Sequence, residues 1–397
     1  MYETVVKTKV NNSIVAVTKS KCLRCGSTMI KEDYNQIFYC LECIQYQEMS
    51  SEKYLLRRER HLNKTQHKLA LNFCLSDLQM EGSLFLVNCY KQRKNAFLQA
   101  VCGAGKTEMC LKVILEALNR NESVAFVIPR VEIIKQVQLR LEEYFPLTIV
   151  SCLHSGQTIK EFSPLIVTTP QQLIKFYNEF DLIIIDEVDA FPLRDNIFLE
   201  RLIEKSLKQN GVKIFMSATI TDKFKKIIEL KELEYFVLSK RYHKRPLSVP
   251  IFKKINDIEM AVQSIKQLVN NKEILVIYLP SIKKGIDFVD KLKSIKINAG
   301  FISSETKYKK EVLKNFVDGE YDCLVSTTIL ERGVTFSSIS VVVVEADSEV
   351  FNQATLIQIA GRVGRISEKG VVIFMSRYIS KEMIKAKKEI EGLNSQE

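Results

Sequence analysis

The sequence predicts an α/β protein with two parallel-sheet lobes in tandem behind a small metal-binding module. Three observations carry this. Short apolar runs of strand length alternate with helical stretches on both sides of a basic, proline-containing hinge, KRYHKRPLSVP, that follows Ser239. A glycine–lysine loop joins one of these runs to a helix. Two C-x2-C pairs stand ahead of the first run. The expected boundaries are 1–60 for an N-terminal segment whose cysteine module spans about 18–48, 61–240 for the first lobe and 241–397 for the second.

Composition sets the outer limits. A chain of 397 residues has room for two or three domains. With 46% hydrophobic and 26% charged residues it is an ordinary folded chain, neither disordered nor fibrous. No apolar run reaches the roughly 18–20 residues of a membrane span. The opening MYETVVKTKVNNS lacks the apolar core of a secretory signal, so a cytoplasmic protein is expected. The net charge of +11 suggests a polyanionic partner, but it is spread as +3 over 1–62, +2 over 63–240 and +6 over 241–397. No segment is a basic tail, so charge alone does not separate a binding face from a solvated surface.

The N-terminal element is read from cysteines. Cys22 and Cys25, then fourteen residues, then Cys40 and Cys43 give two knuckles. The second half of the spacer alternates as a hairpin does, which brings the knuckles together as a tetrahedral four-sulfur site for structural zinc. Four thiolates leave no open position for catalysis. The other six cysteines sit in apolar contexts and read as small core residues.

The first lobe opens on a strand, Ala96–Ala100, that runs into Gly103, Ala104, Gly105, Lys106 and Thr107 and then a helix over 108–118. Backbone N–H groups at such glycines and at the helix start bind phosphates, Lys106 reaches the β and γ oxygens, and the Thr107 hydroxyl serves Mg²⁺. Ala100 stands where the strict pattern has its first glycine. A buried strand over 182–185 then ends in Asp186, Glu187, Val188 and Asp189. Ligands of open α/β sheets bind at strand C-termini, so Asp186 is expected to hold Mg²⁺ and Glu187 to orient and deprotonate the attacking water of ATP hydrolysis.

The second lobe has expected strands at 274–278, 298–302, 323–327, Ser340–Val344 and 370–375. Near its end QIAGRVGR carries Gln358, Arg362 and Arg365. Arginines three apart share one face of a helical turn and can meet phosphate charge as arginine fingers, closing an ATP site shared with the phosphate loop.

Together these segments resemble superfamily 2 helicases over roughly residues 63–377. The resemblance implies RecA-like lobes and a role for each match. Gln66 in LNKTQHKLA corresponds to the adenine-reading glutamine, and GAGKT is motif I. Pro129-Arg130 resembles motif Ia and Thr168-Thr169-Pro170 motif Ib. DEVD is motif II, and Ser217-Ala218-Thr219 is motif III, which couples the lobes to nucleotide state. Ser326-Thr327-Thr328 with Glu331-Arg332-Gly333 resembles motif V, and QIAGRVGR motif VI. Arg130, Thr169 and Thr327 are the implied nucleic-acid grips; His154-Ser155-Gly156 reads either as part of the same groove or as a plain loop after a strand. Thr335 departs from the aspartate that many relatives use on ribose.

Within the superfamily, the cysteine module ahead of the loop, IDEVDAFP and TTILERGVTF resemble the late-competence DNA-uptake ATPases, the ComFA family. That resemblance implies an ATP-driven motor on single-stranded DNA at the inner face of the membrane, with ComFC and DprA as partners and ATP, Mg²⁺ and Zn²⁺ as cofactors. Two other readings remain: a primosome-like remodelling helicase, and a non-catalytic zinc-dependent DNA adaptor. Intact Lys106, Glu187, Arg362 and Arg365 argue against the adaptor.

Overall fold

The computed structural model describes residues 1–59, 65–101, 103–155, 163–239, 246–270, 274–327, 339–364 and 370–395. The chain divides into two compact units, Met1–Gln99 with Lys106–Val237 and Ala100–Gly105 with Leu238–Glu397.

At the N-terminus β1 (Tyr2–Val6), β2 (Ser13–Val15), β3 (Ile30–Glu32), β4 (Phe38–Cys40) and β5 (Tyr54–Arg58) make two small sheets. One has the order β1-β5-β2 and is antiparallel; the other is the β3–β4 hairpin expected in the cysteine spacer. Its turn is closed by Asp33, whose Oδ1 accepts from the N–H groups of Asn35 and Ile37, each at 2.9 Å.

The first lobe follows with α1 (Asp77–Lys91), β6 (Ala96–Ala100), α2 (Lys106–Asn119), β7 (Val124–Val127), α3 (Val131–Tyr144), β8 (Val150–Leu153), β9 (Leu165–Thr168) and β10 (Phe180–Ile185). It ends with α4 (Ile197–Ser206), β11 (Leu207–Ser217), α5 (Asp222–Glu229) and β12 (Glu234–Leu238). The strand order is β12-β6-β11-β10-β7-β9-β8, and the pairs from β6 to β8 are parallel. Helices on both faces exclude water from the central strands, which is why VAFV, LIVT and the LIII of β10 read as unbroken apolar runs rather than alternating ones.

The second unit holds β13 (Ile251–Lys254), α6 (Ile258–Asn270), β14 (Leu275–Tyr278), α7 (Ile282–Ser294), β15 (Ala299–Ile302), α8 (Lys309–Val317) and β16 (Cys323–Ser326). It continues with β17 (Ser340–Val344), α9 (Gln353–Ala360), β18 (Val372–Ser376) and α10 (Lys381–Ser395). Its sheet, β13-β18-β17-β14-β16-β15, is parallel throughout. Every strand expected from the sequence is there within two residues at either end.

The N-terminal segment is not set apart at residue 60; it folds into the first unit. The four module cysteines, Met49 and Leu55 lie in one apolar cluster with Phe97, Ile183 and Leu202 of the first lobe. Tyr46 stacks on Phe198 of α4 at 5.0 Å between ring centres, and Glu42 pairs with Arg201. Beneath them Glu3, almost fully buried, accepts from Arg57 Nε at 3.0 Å and Lys205 Nζ at 2.7 Å. Lys205 also donates to the carbonyls of Arg24 at 2.5 Å and Ile174 at 3.0 Å, so its three N–H groups have three acceptors. Burial pushes the Lys205 ammonium pKa down, and the Glu3 charge opposes that shift.

Of the remaining cysteines, Cys89, Cys110 and Cys323 are core residues as expected. Cys74 is exposed and Cys152 half-buried, because Cys74 sits in the loop ahead of α1 rather than on a helix face. Cys102 lies outside the described residues. Among the described residues no helix is long and apolar enough to cross a membrane.

Candidate active site

The strand order of the first lobe lays the sequence-predicted residues along one sheet edge. β6 leads toward Lys106, β11 ends at Ser217, β10 leads to Asp186 and Glu187, β7 to Arg130, β9 to Thr169 and β8 to His154. All are at strand C-termini, the edge at which open parallel sheets bind ligands. The residues expected to serve the nucleotide and those expected to grip nucleic acid thus occupy opposite ends of one row.

The phosphate loop has the backbone its residues dictate. Gly103 and Gly105 both sit at φ 82, a left-handed conformation open to glycine at little cost. Ala104 between them is buried, and its N–H donates to Val101 at 3.1 Å. Lys106 and Thr107 then begin α2. Cys110, one turn further on, is fully buried; burial first, then the charges of Asp186 and Glu108, push its thiol pKa well up. Helix α2 packs against β10, the strand that leads to Asp186. The helix N-terminus, the lysine, the hydroxyl and the carboxylate together suit a magnesium–triphosphate group.

The acidic motif is held by its neighbours. The Asp186 N–H donates to Val127 at 2.9 Å, and Asp186 Oδ1 accepts the Glu187 N–H at 2.9 Å. Glu187 itself has φ 55, a left-handed conformation that a non-glycine residue adopts only under local constraint. Arg130 Nε lies 3.8 Å from Glu187 Oε2, so the expected DNA grip touches the expected base. Asp189 is buried and accepts from the Thr219 hydroxyl, while the Thr219 N–H donates to Ser217 Oγ at 3.1 Å. Of the two residues expected to couple the lobes, Thr219 is thus bonded directly to the acidic loop, and Ser217 is bonded to Thr219. Gln99 of β6, which the sequence reading overlooked, joins this group: its amide donates to the Ala218 carbonyl at 3.3 Å and its oxygen accepts from Tyr235.

One assignment is corrected. Gln66 is exposed, and the next residue, His67, donates its N–H to Asn119 Oδ1 at 3.3 Å, at the C-terminal end of α2. His67 is buried against Thr148, and burial lowers its imidazole pKa. Since α2 has 14 residues and is about 20 Å long, the segment held at Asn119 lies at the end of the helix opposite Lys106. Gln79 is at the correct end. It is buried at the third position of α1 in a reciprocal capping box with Ser76. Helix α1 runs alongside α2 in the same sense, Gly82 facing Met109 and Lys91 pairing with Glu116, so Gln79 lies at the end of α1 that is nearer the start of α2.

In the second unit Gln358 lies buried on α9 and Arg362 is buried in the turn just after it. Thr327 follows β16, its N–H donating to Ile302 at 3.4 Å. Arg365, Thr328, Glu331, Arg332, Gly333 and Thr335 lie outside the described residues.

The Sγ atoms of Cys22, Cys25, Cys40 and Cys43 are all buried and lie within 4.8 Å of one another. Cys25 and Cys40 are 3.5 Å apart and Cys22 and Cys43 3.9 Å. A tetrahedral zinc with Zn–S bonds near 2.3 Å has S···S edges of about 3.8 Å. The donor set and its size fit zinc closely.

Comparison with known proteins agrees with this geometry. The DEAD/DEAH box helicase family matches residues 85–227 and the helicase conserved C-terminal domain matches residues 258–367. Competence protein ComFA of Streptococcus pneumoniae is 36% identical over 391 residues, covering 94% of this chain and 90% of that protein. ComFA of Bacillus subtilis is 31% identical over 405 residues, covering 97% and 88%. Among solved structures, RecG bound to a three-way DNA junction has a TM-score of 0.56 at 20% identity over 82% of this chain and 45% of that one, a likeness of fold. The chain belongs to the ComFA family, and its two lobes make it a superfamily 2 helicase-type ATPase with an N-terminal four-cysteine cluster.

Proposed function

We propose that this ATPase is a motor on single-stranded DNA that helps draw transforming DNA into the cytosol during natural competence. The observation that carries the reading is the row along the first-lobe sheet edge, in which nucleotide residues give way to grip residues across adjacent strands. The near full-length likeness to two competence proteins supports the pathway.

Lys106 and Thr107 take the triphosphate, and Asp186 its magnesium, which when bound neutralises charge on the phosphate oxygens. Glu187 accepts a proton from the attacking water. Gln79, in place of Gln66, stands at the nucleotide end of α2 and is assigned to the base. Arg362 and Arg365 meet γ-phosphate charge, and Gln358 supports them from α9. Ser217 and Thr219 report nucleotide state through Asp189. Arg130, Thr169 and Thr327 hold the DNA backbone, which makes binding weakly sequence-specific and strongly salt-dependent. ComFC and DprA are the assigned protein partners, and attachment at the inner face of the membrane is peripheral.

A motor should push a block off its track. The full chain with ATP is expected to displace streptavidin from one end of a biotinylated single-stranded oligonucleotide, and Lys106→Ala is expected not to. No ATP-dependent displacement from either end, despite ATP hydrolysis, would overturn translocation.

A further inference from the structure

We propose that Arg130 is a positioning residue that restrains the carboxylate of Glu187 until a DNA phosphate takes the arginine over. One ion pair then links the nucleotide end of the sheet edge to its nucleic-acid end. This rests on the ATPase reading above and adds a coupling mechanism to it.

The geometry is specific. β7 lies between β10 and β9, with Val127 in register with Ile185 on one side and Thr168 on the other. Arg130 therefore leaves the sheet between the acidic loop and Thr169. Its backbone is extended, at φ −116 and ψ 121, and although it caps α3 its side chain makes no cap hydrogen bond. The guanidinium lies with Nε 3.8 Å from Glu187 Oε2. The two side chains are 23% and 19% exposed, sheltered enough to pair and open enough for a ligand to compete. At 3.8 Å the contact is an ion pair without a short hydrogen bond, so it is a weak restraint that a phosphate can break.

The chemistry gives the restraint a consequence. In hydrolysis the water oxygen attacks the γ-phosphorus and its proton passes to a Glu187 oxygen. The bond from the γ-phosphorus to the β,γ-bridging oxygen breaks, and ADP leaves with the electron pair. A carboxylate beside a guanidinium is stabilised in its charged form and is a weaker base. A DNA phosphate offers Arg130 a competing anion and a charge-assisted hydrogen bond. When Arg130 turns to the phosphate, Glu187 is released to take the proton. Linkage requires the converse, so losing the Glu187 charge should strengthen the hold of Arg130 on DNA.

The test uses the full chain and a thymidine oligonucleotide, with kcat and KM for ATP measured with and without it. Arg130→Gln is expected to raise the DNA-free kcat roughly two- to five-fold, the range set by ion pairs of this exposure. KM for ATP should stay unchanged and the stimulation by DNA should fall toward one. Arg130→Lys keeps the charge and should fall between. In parallel, Glu187→Gln should bind the oligonucleotide roughly two- to five-fold more tightly in the absence of nucleotide. A DNA-free kcat of Arg130→Gln at or below that of the unaltered protein, or unchanged DNA affinity of Glu187→Gln, would overturn the coupling. If the unaltered protein is itself not stimulated by DNA, the motor reading fails, and the coupling with it.

Discussion

Lys106→Ala is expected to lower ATP turnover by roughly 10²–10³-fold, the cost of removing one preorganised group from a developing phosphate charge. Lys106 is the first residue of α2, directly after two left-handed glycines, so its ammonium stands where the helix N-terminus already favours anions. No other residue type in the loop supplies that charge at the β and γ oxygens. The same substitution should leave stability within about 0.5 kcal/mol, since alanine is a better helix former than lysine and Lys106 is only half-buried. Phosphate release measured beside a thermal melt separates the two effects. Turnover within tenfold of the unaltered protein, with an unchanged melt, would place hydrolysis elsewhere.

Loss of the metal is expected to have the second large effect, on stability rather than rate. Structural zinc contributes folding free energy, about 10–16 kcal/mol in isolated zinc peptides. Here the four cysteines are part of the apolar cluster that continues into the first lobe. Cys25→Ser should bind no zinc and should destabilise the whole first unit, on the order of 4 kcal/mol or more. Elemental analysis should find one zinc per chain in the unaltered protein and none in Cys25→Ser. Chemical unfolding should show an early transition for the first unit of the variant. A module that only bound DNA on a tether would lose zinc without moving that transition. Absence of zinc from the unaltered protein would contradict the metal assignment itself.

What the sequence made legible follows from the period of its apolar residues and from turn chemistry. Parallel strands buried on both faces leave runs such as VVVV at Ser340–Val344, and glycines at φ 82 leave GAGK. The zinc hairpin was legible because its spacer alternates between matched cysteine pairs. What was not legible depends on packing between distant segments. Nothing in MYETVV shows that Glu3 will bury against Lys205, or that Tyr46 will stack on Phe198. So the N-terminal segment reads as a separate module while its core is continuous with the first lobe.

The glutamine error has the same origin. Gln66 and Gln79 both precede the loop, and only the run of α1 beside α2 tells which end of α2 each one reaches. A local signal existed, however: Ser76-x-x-Gln79 is a capping-box spacing that marks a helix start ahead of the phosphate strand. The Arg130–Glu187 contact had no local signal. Residues 57 positions apart meet because β7 and β10 are neighbours in the sheet.

On the proposed function, the row of residues on the first-lobe sheet edge hydrolyses ATP in response to single-stranded DNA. The most direct measurement is the initial rate of phosphate release by the full chain, with no nucleic acid, single-stranded DNA, duplex DNA or RNA, at one salt concentration. Single-stranded DNA is expected to raise kcat most, and the stimulation to decline steeply with added salt. Equal rates with and without single-stranded DNA, or a larger response to RNA or duplex, would contradict it.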